Sequence, residues 1–352
     1  MNPPVSRSGR VGKNMVDSPR SWGCRTGLKW SPAMSESNPN RRVSAVIRAN
    51  NEGKHIGRLL KGLEQQTVKL DEIILVDSGS TDDTVAIAEA AGCTVVHIAK
   101  SEFSFGRALN RGCAAASGDI LLFASAHVYP VYNTYVEHIV SAFDRDGVAI
   151  AYGRQVGDER TKFSESRVML KWFPNQNIWD QEHPFSNNAN AAVLKSAWQE
   201  TPYDENLTGL EDLDFAKKAL DRGYKIAYVA DAPVVHVHEE TWGTIRNRYR
   251  REAMAYARIV KGSTMSLPRA LGLALSNIAS DYRDAVKANL LRSNALSIPL
   301  FRFAQFIGAW QGFREPDHVS ARLLERFYYP AESQSNELPP APGRKILYSE
   351  DL

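Results

Sequence analysis

Between Val43 and Thr241 short apolar runs alternate with stretches of helical period. Val43-Ser-Ala-Val-Ile-Arg48 is a β-rich run, and Ile56, Leu59, Leu60 and Leu63 then recur at i, i+3, i+4 and i+7, which predicts a helix from about Gly53 to Gln66. Glu72-Ile-Ile-Leu-Val-Asp77 reads as a buried strand, Thr94 to Ile98 as a third strand and Ile120 to Ala124 as a fourth, fully apolar one. Ser78-Gly-Ser-Thr81 with Asp82 and Asp83 has helix-start chemistry, because short polar side chains accept the unpaired N–H groups of a first turn. The helix it opens stops near Gly92, and another spans Phe105 to Ala116. Such alternation predicts an α/β, Rossmann-like fold with a mostly parallel sheet covered by helices on both faces.

Further along, Val148 to Arg154, Asn190 to Val193, Ile226 to Val229 and Val234 to Val237 read as strands, with a long polar and aromatic excursion after the first. Gly209-Leu-Glu-Asp-Leu-Asp-Phe215 opens a helix to about Arg222. Beyond Thr241 the β pattern ends. Residues 244–262, 268–291, 298–313 and 318–328 read as helices, punctuated by Pro268, Pro299, Pro316 and Pro330. The organisation predicted is a basic disordered extension (1–42), an α/β domain (43–240), a basic helical subdomain (241–330) and a flexible tail (331–352).

The 352 residues, 43% hydrophobic and 24% charged, exclude whole-chain disorder, and no apolar run approaches a membrane span. The net charge of +3 is a cancellation: +6 over residues 1–42, about −9 over 43–240, +8 over 241–330 and −2 over the tail. A basic flank suits an anionic partner, while a set of solvated helix faces would look the same. Cys24, Cys93 and Cys113 have no metal-site spacing and point to a reducing compartment. Met34, just before a polar lead-in, reads as the true or an alternative start.

In open sheets of this kind ligands bind beyond the strand ends. Small and polar residues stand there: Asn50 and Glu52 after the first strand, Asp77 and Ser78 after the second, Ser125 and His127 after the fourth. The runs Val43 to Glu52, Glu72-Ile-Ile-Leu-Val-Asp-Ser-Gly-Ser-Thr-Asp82, Gly118-Asp-Ile-Leu-Leu-Phe123 and Gly209-Leu-Glu-Asp212, in that order, resemble family 2 inverting glycosyltransferases. The resemblance spans about residues 43–240. It implies a GT-A fold whose first half binds a nucleotide-sugar and whose second half holds the acceptor. It further implies that Asp77, with Glu52 and Asp82, binds the nucleotide, that Asp212 is the base, and that Glu211 assists it in acceptor binding.

Inverting transfer needs a base for the acceptor hydroxyl and a counter-charge for the leaving diphosphate. Glu211-Asp212 supplies two carboxylates at a helix start, where the dipole favours the ionised form. Where the family carries an Asp-x-Asp pair for a divalent ion, this chain has Ser125-Ala126-His127. Two arrangements remain: His127 with His236 or His238 binds Mn²⁺ or Mg²⁺, or cations alone hold the diphosphate, with Arg107 the best placed. Arg107 and Asn110 are similar to a family segment lining the donor site. Asn187 and Asn190, with Trp172, look like the acceptor side, since amides pair with sugar hydroxyls and aromatics stack on sugar rings.

Arg246, Arg248, Arg250, Arg251, Arg258 and Lys261 stud one helix, and Arg302 stands among bulky apolar residues, the composition of an interfacial helix. The layout resembles rhamnosyltransferase-like bacterial enzymes that extend surface polysaccharides. It implies a glycan or lipid-linked acceptor, a cytoplasmic location and peripheral contact with the inner face of the membrane through residues 244–314. The alternative for these helices is packing on the catalytic core. Competing functions are a nucleotide-sugar-binding relic and a sugar nucleotidyltransferase; the latter lacks a Gly-rich loop after the first strand, and nucleic acid is not expected as a partner.

Overall fold

The structure is a computed structural model that describes residues 41–314 and 343–348. The N-terminal extension up to residue 40, with Cys24 and Met34, and the helix expected at 318–328 lie outside the described residues.

The elements run β1 (Val43–Ala49), α1 (Gly53–Glu64), β2 (Glu72–Asp77), α2 (Thr84–Ala90), β3 (Thr94–His97), α3 (Phe105–Ala115), β4 (Ile120–Ser125), β5 (Val128–Pro130), α4 (Tyr135–Ser141) and β6 (Val148–Val156). After these come α5 (Phe163–Trp172), β7 (Asn190–Leu194), α6 (Lys195–Glu200), α7 (Glu211–Asp221), β8 (Lys225–His236), α8 (Trp242–Ile259), α9 (Leu267–Lys287), α10 (Leu291–Asn294) and α11 (Ser297–Arg314).

One eight-stranded sheet has the order β3-β2-β1-β4-β7-β6-β8-β5. The first four of these pair in parallel, as the alternation predicts, but β7 is antiparallel to both β4 and β6, and β5 is antiparallel to β8. With β6 and β8 also parallel, most pairings are parallel, as expected, and the antiparallel ones are confined to β7 and β5. Alternation within each strand divides the core into two layers. Ala45 and Ile47 face α1 and α4, while Val46, Ile74 and Phe123 face α3 and α7.

The two strands expected at 226–229 and 234–237 are one strand, β8. The chain continues through Asp231-Ala-Pro233, with the Ala230 N–H donating to Asn177 Oδ1 at 2.7 Å and the register against β6 shifting between Gly153 and Gln155. The polar and aromatic excursion contains α5. The helix expected over 268–291 ends at Lys287, where Asn289 adopts a left-handed φ of 57°.

Residues 343–348, expected to be flexible, lie extended beside β5. Ile346 N donates to Val131 O at 2.9 Å, Tyr348 Oη donates to Pro130 O at 2.6 Å, and the Ile346 side chain is buried.

Helix α11 is apolar on all sides and packs between α8, α9 and α5, burying Phe301, Phe306 and Phe313. Each buried phenylalanine contributes about 1.5–3 kcal/mol. Gly308 and Gly312 let the α8 backbone approach: a Cβ on either would stand 2.3 or 2.2 Å from Arg246 O or Arg250 O. Arg302 is no interfacial cation. It is 4% exposed and paired to Asp281 at 2.7 Å.

Candidate active site

The loops after β1 and β2 are stitched together. Gly53 N donates to Asp82 Oδ2 at 2.9 Å, Glu52 N to Thr84 Oγ1 at 2.7 Å, Thr81 N to Asn51 Oδ1 at 2.8 Å and Asn50 Nδ2 to Ser78 O at 3.2 Å. Asp77, almost fully buried, accepts from Gly79 N and Ser80 N at 3.1 Å and faces His97 Nδ1 at 3.4 Å. Burial alone would raise its pKa, but the Ser80 hydroxyl and these N–H groups outweigh it and hold the carboxyl below its ordinary value. Asn50, Glu52, Asp77, Ser78 and Asp82 thus share one rim. Ser125 and His127 join it at the β4 end, where His127 Nδ1 sits 2.8 Å from Glu52 Oε1 and Nε2 sits 3.1 Å from Ser125 Oγ.

Opposite this rim stands the start of α7. The residue before it, Leu210, has φ 54°, a left-handed conformation rare for a bulky side chain and the kind of strain that gathers at working sites. Leu213 packs among the C-terminal helices while Phe215, Ala216 and Ala219 pack on the sheet, so α7 is fixed from both sides. Arg48 Nη1 donates to Glu211 Oε1 at 2.9 Å. Asp212 accepts from Leu213 N at 2.8 Å and Asn188 N at 3.2 Å. Burial and then the neighbouring Glu211 charge push the Asp212 pKa up to about 7, against the pull of those N–H groups and Arg48. A carboxylate poised near neutrality suits general-base work.

Other expected residues have different surroundings. Asn190 is fully buried, its Nδ2 donating to Arg154 O at 3.0 Å and Ala232 O at 3.1 Å, so it is not open to an acceptor, which corrects the sequence expectation. Asn110 spends its amide on Tyr203 O, Glu205 and the Trp198 and Tyr203 N–H groups, and likewise stays out of the donor site. Arg107 is paired to Glu205 at 2.7 Å and donates to Glu102 O. Trp172 stacks on Phe185 at 4.5 Å, and both line a pocket with Asn187.

The three histidines do come together. His127 and His236 stack at 5.1 Å with planes 21° apart, and His236 meets His238 edge-on at 4.1 Å. His236 is buried and held by Gln155 at 2.6 Å; burial, then the charges of His238 and His127, put its pKa well below the usual value. His238 Nδ1 lies 2.9 Å from Glu165, whose Oε1 also takes Arg248 Nη2 at 2.5 Å, and Arg248 bridges on to Glu240 at 2.6 Å. Burial would raise the Glu165 pKa, but His238 and Arg248 hold it down to about 2. Burial would lower that of His238, but the hydrogen bonds to Glu165 and Glu240 raise it. Arg248 is thus an interior ion-pair partner rather than a surface charge. Arg251 lies over the Phe105 ring, Arg258 donates to Asn206 O, and Arg246 is exposed. Sequence reasoning missed Glu165, in the first turn of α5, Gln155, at the end of β6, and Glu240, just before α8, because their partners are distant in sequence.

A Rossmann-like half-sheet, a polar rim at its strand ends and a pair of carboxylates at the start of α7 make up an architecture of the GT-A type. Residues 44–201 match the family model for Glycosyl transferase family 2, and the chain carries a glycosyltransferase domain of that family. Among curated relatives, the O-antigen chain rhamnosyltransferase RfbN of Salmonella typhimurium is 26% identical over 212 residues, covering 57% of this chain and 68% of the relative. The O-antigen chain rhamnosyltransferase WbaN of Salmonella anatum is 29% identical over 189 residues, covering 51% and 60%. Among solved structures, the mannosyltransferase PcManGT from Pyrobaculum calidifontis in complex with GDP-Man and Mn²⁺ is 18% identical with a TM-score of 0.51, covering 78% of this chain and 88% of that one, a likeness of fold.

Of the ligands expected for the divalent ion such a fold implies, His127 and His236 do not fit together, whereas His238 stands edge-on to both. Stacked, near-parallel imidazoles present faces to each other and cannot aim two nitrogen lone pairs at one ion. Among the described residues, the group whose ligand atoms do converge is Glu165, His238 and Glu240, and the guanidinium of Arg248 already bridges its two carboxylates.

Proposed function

We propose that the chain is an inverting glycosyltransferase that moves a sugar, with a nucleoside-diphosphate-linked 6-deoxyhexose such as rhamnose the first donor to test, onto a hydroxyl of a glycan or lipid-linked glycan in polysaccharide assembly. The observation that carries the reading is Asp212, a carboxylate with its pKa pushed up to about 7, standing opposite the strand-end rim of a family 2 domain. The names of the two rhamnosyltransferase relatives support the donor and the glycan acceptor.

In this reading Asp212 takes the acceptor hydroxyl proton as that oxygen bonds to the anomeric carbon. The bond from that carbon to the diphosphate breaks, and the nucleoside diphosphate departs with the electron pair. Glu211, held by Arg48, orients the acceptor beside it. Asn50, Glu52, Asp77, Ser78 and Asp82 shape the nucleotide side. The leaving charge is met by protein groups: His127 held on Glu52, Lys54, and the N-terminus of α1, whose dipole favours an anion. Residues 43–240 supply this chemistry, and the helices from Trp242 onward complete the acceptor side.

Among the described residues no helix is long and apolar enough to cross a membrane. For peripheral contact the reading moves away from α8 to the tip formed by the end of α9, α10 and the start of α11. Val286, Leu290, Leu296, Leu300 and Phe303 are exposed there beside exposed Arg283, Lys287 and Arg292. Leucines ringed by cations suit an anionic lipid surface on the cytoplasmic side.

The test is a thermal-shift screen of UDP-, GDP- and dTDP-sugars. The reading expects stabilisation by one nucleotide class, lost on His127→Ala. No stabilisation by any would overturn it.

A further inference from the structure

Between the sheet and the C-terminal helices lies a pocket of ≈ 160 Å³ that the mechanism above leaves unassigned. At the roughly 30 Å³ that each water occupies in the liquid this is room for about five, a space on the scale of one small ring and too little for two. Its position is defined by Asn187 and Leu210. Asn187 precedes the residue whose N–H holds the Asp212 carboxylate, and Leu210 precedes Glu211, so the pocket adjoins the proposed base.

The walls differ. One is aromatic, formed by the stacked Trp172 and Phe185 with Phe173 and Tyr249. The other is polar and under-satisfied. Gln155, 3% exposed, has no hydrogen-bond partner for Nε2, Glu165, 2% exposed, has none for Oε2, and His238 has none for Nε2 among the described residues. A buried polar atom left unpaired is costly, so the wall calls for a ligand or water that both donates and accepts. Glu252 of α8 also lines the pocket, with no hydrogen bond to its carboxyl among the described residues and a pKa raised by burial. The ion cluster in this wall joins two carboxylates, Glu165 and Glu240, to Arg248 and His238, so its charged groups are already partnered within the protein.

We propose that this pocket seats the terminal ring of the acceptor, a single neutral pyranose, with its C–H face on the Trp172–Phe185 pair and its hydroxyls on Gln155 and Glu252. The inference rests on the glycosyltransferase reading and deepens it. The acceptor is recognised at its chain end, one ring deep, and α8 supplies a specificity residue, so the basic helical region shapes acceptor choice.

The experiment titrates methyl glycosides of rhamnose, mannose, galactose and glucose into the full chain, with and without the nucleoside diphosphate found in the screen, by ligand-observed NMR. At least one glycoside is expected to bind, with affinity reduced tenfold or more by Glu252→Gln, a near-isosteric change, by Trp172→Ala, and by Val168→Phe, which fills the pocket without removing a polar group. Nucleotide affinity is expected to be the same in all three variants. Nucleotide binding without glycoside binding, or glycoside binding indifferent to all three changes, would overturn this inference alone. Absence of nucleotide binding by the unmodified chain would sink the glycosyltransferase reading and this inference with it.

Discussion

Arg48 Nη1 stands 2.9 Å from Glu211 Oε1, tying the end of the first strand to the first turn of the helix that carries Asp212. Arg48 is a positioning residue, and its charge also holds down the pKa of Asp212. Arg48→Gln is expected to cost about 2–3 kcal/mol, the low side for a broken buried pair because a fifth of the arginine side chain is exposed. The acid limb of kcat/KM should move to higher pH, since Asp212 then faces an unpaired Glu211. A stability loss with an unmoved pH profile would show that the pair only braces the fold.

Asp212 sets activity against stability. Its folded pKa lies above the ordinary carboxylate value of 3.8, so its favourable contribution is present below that value and is lost as pH rises through about 7. Asp212→Asn removes the half-buried charge and is expected to raise Tm at pH 8 by a few degrees, about 1 kcal/mol after allowing for weaker acceptance from Asn188 and Leu213. At pH 4 the gain should vanish. A lowered Tm at pH 8 would contradict the assigned burial.

The cluster around Glu165 has the opposite acid limb and a basic limb of its own. Glu165, held down to about 2, contributes above its ordinary 4.5 and loses that contribution as pH falls through about 2. His238, raised above 6.5, contributes below that value and loses it as pH rises through its folded pKa. The Tm difference between the unmodified chain and His238→Gln should therefore be greatest between pH 4.5 and 6.5 and shrink by pH 9. A constant difference across that range would rule out a charged His238.

Because Arg248 bridges the carboxylates that could converge on an ion, turnover is expected to survive EDTA with less than a twofold change and to gain nothing from Mn²⁺ or Mg²⁺. Arg248→Met should lower Tm and allow Mn²⁺ to restore part of it, because the uncovered Glu165, His238 and Glu240 then form a ligand set. Loss of turnover in EDTA, restored by Mn²⁺, would refute the metal-free account.

Membrane contact through the α9–α11 tip is checked by liposome flotation. Leu296→Asp with Leu300→Asp should abolish binding to anionic vesicles while leaving Tm within about a degree, since both side chains are exposed. Unchanged flotation would remove this tip from the account.

Much of the first half was legible because its signals are local. Ile56, Leu59, Leu60 and Leu63 fall on one face of α1 and all four are buried, and the apolar β4 run marks a strand covered on both sides. The second half was less legible because its determinants are not local. Whether β7 runs parallel or antiparallel depends on what it pairs with, and the stretch Asp231-Ala-Pro233 between the two expected strands is carried along by the neighbouring strand and Asn177. At the site, the strand-end residues and Glu211-Asp212 could be read from spacing. Arg248 and Arg302 could not, because a basic residue on a helix reads as exposed until a distant carboxylate, Glu165 or Asp281, is known to face it. Asn190 fails for a related reason: its partners, Arg154 O and Ala232 O, are backbone groups of two other strands.

The most direct test of the central claim is ¹H NMR of the product formed from the nucleotide-sugar found in the screen, with the unmodified chain and Asp212→Asn run side by side. The account predicts a product whose anomeric configuration is inverted relative to the donor, and a rate lower by about 10²–10⁴-fold in Asp212→Asn, the usual worth of a general base. A product of retained configuration, or a rate in Asp212→Asn within threefold of the unmodified chain, would contradict it.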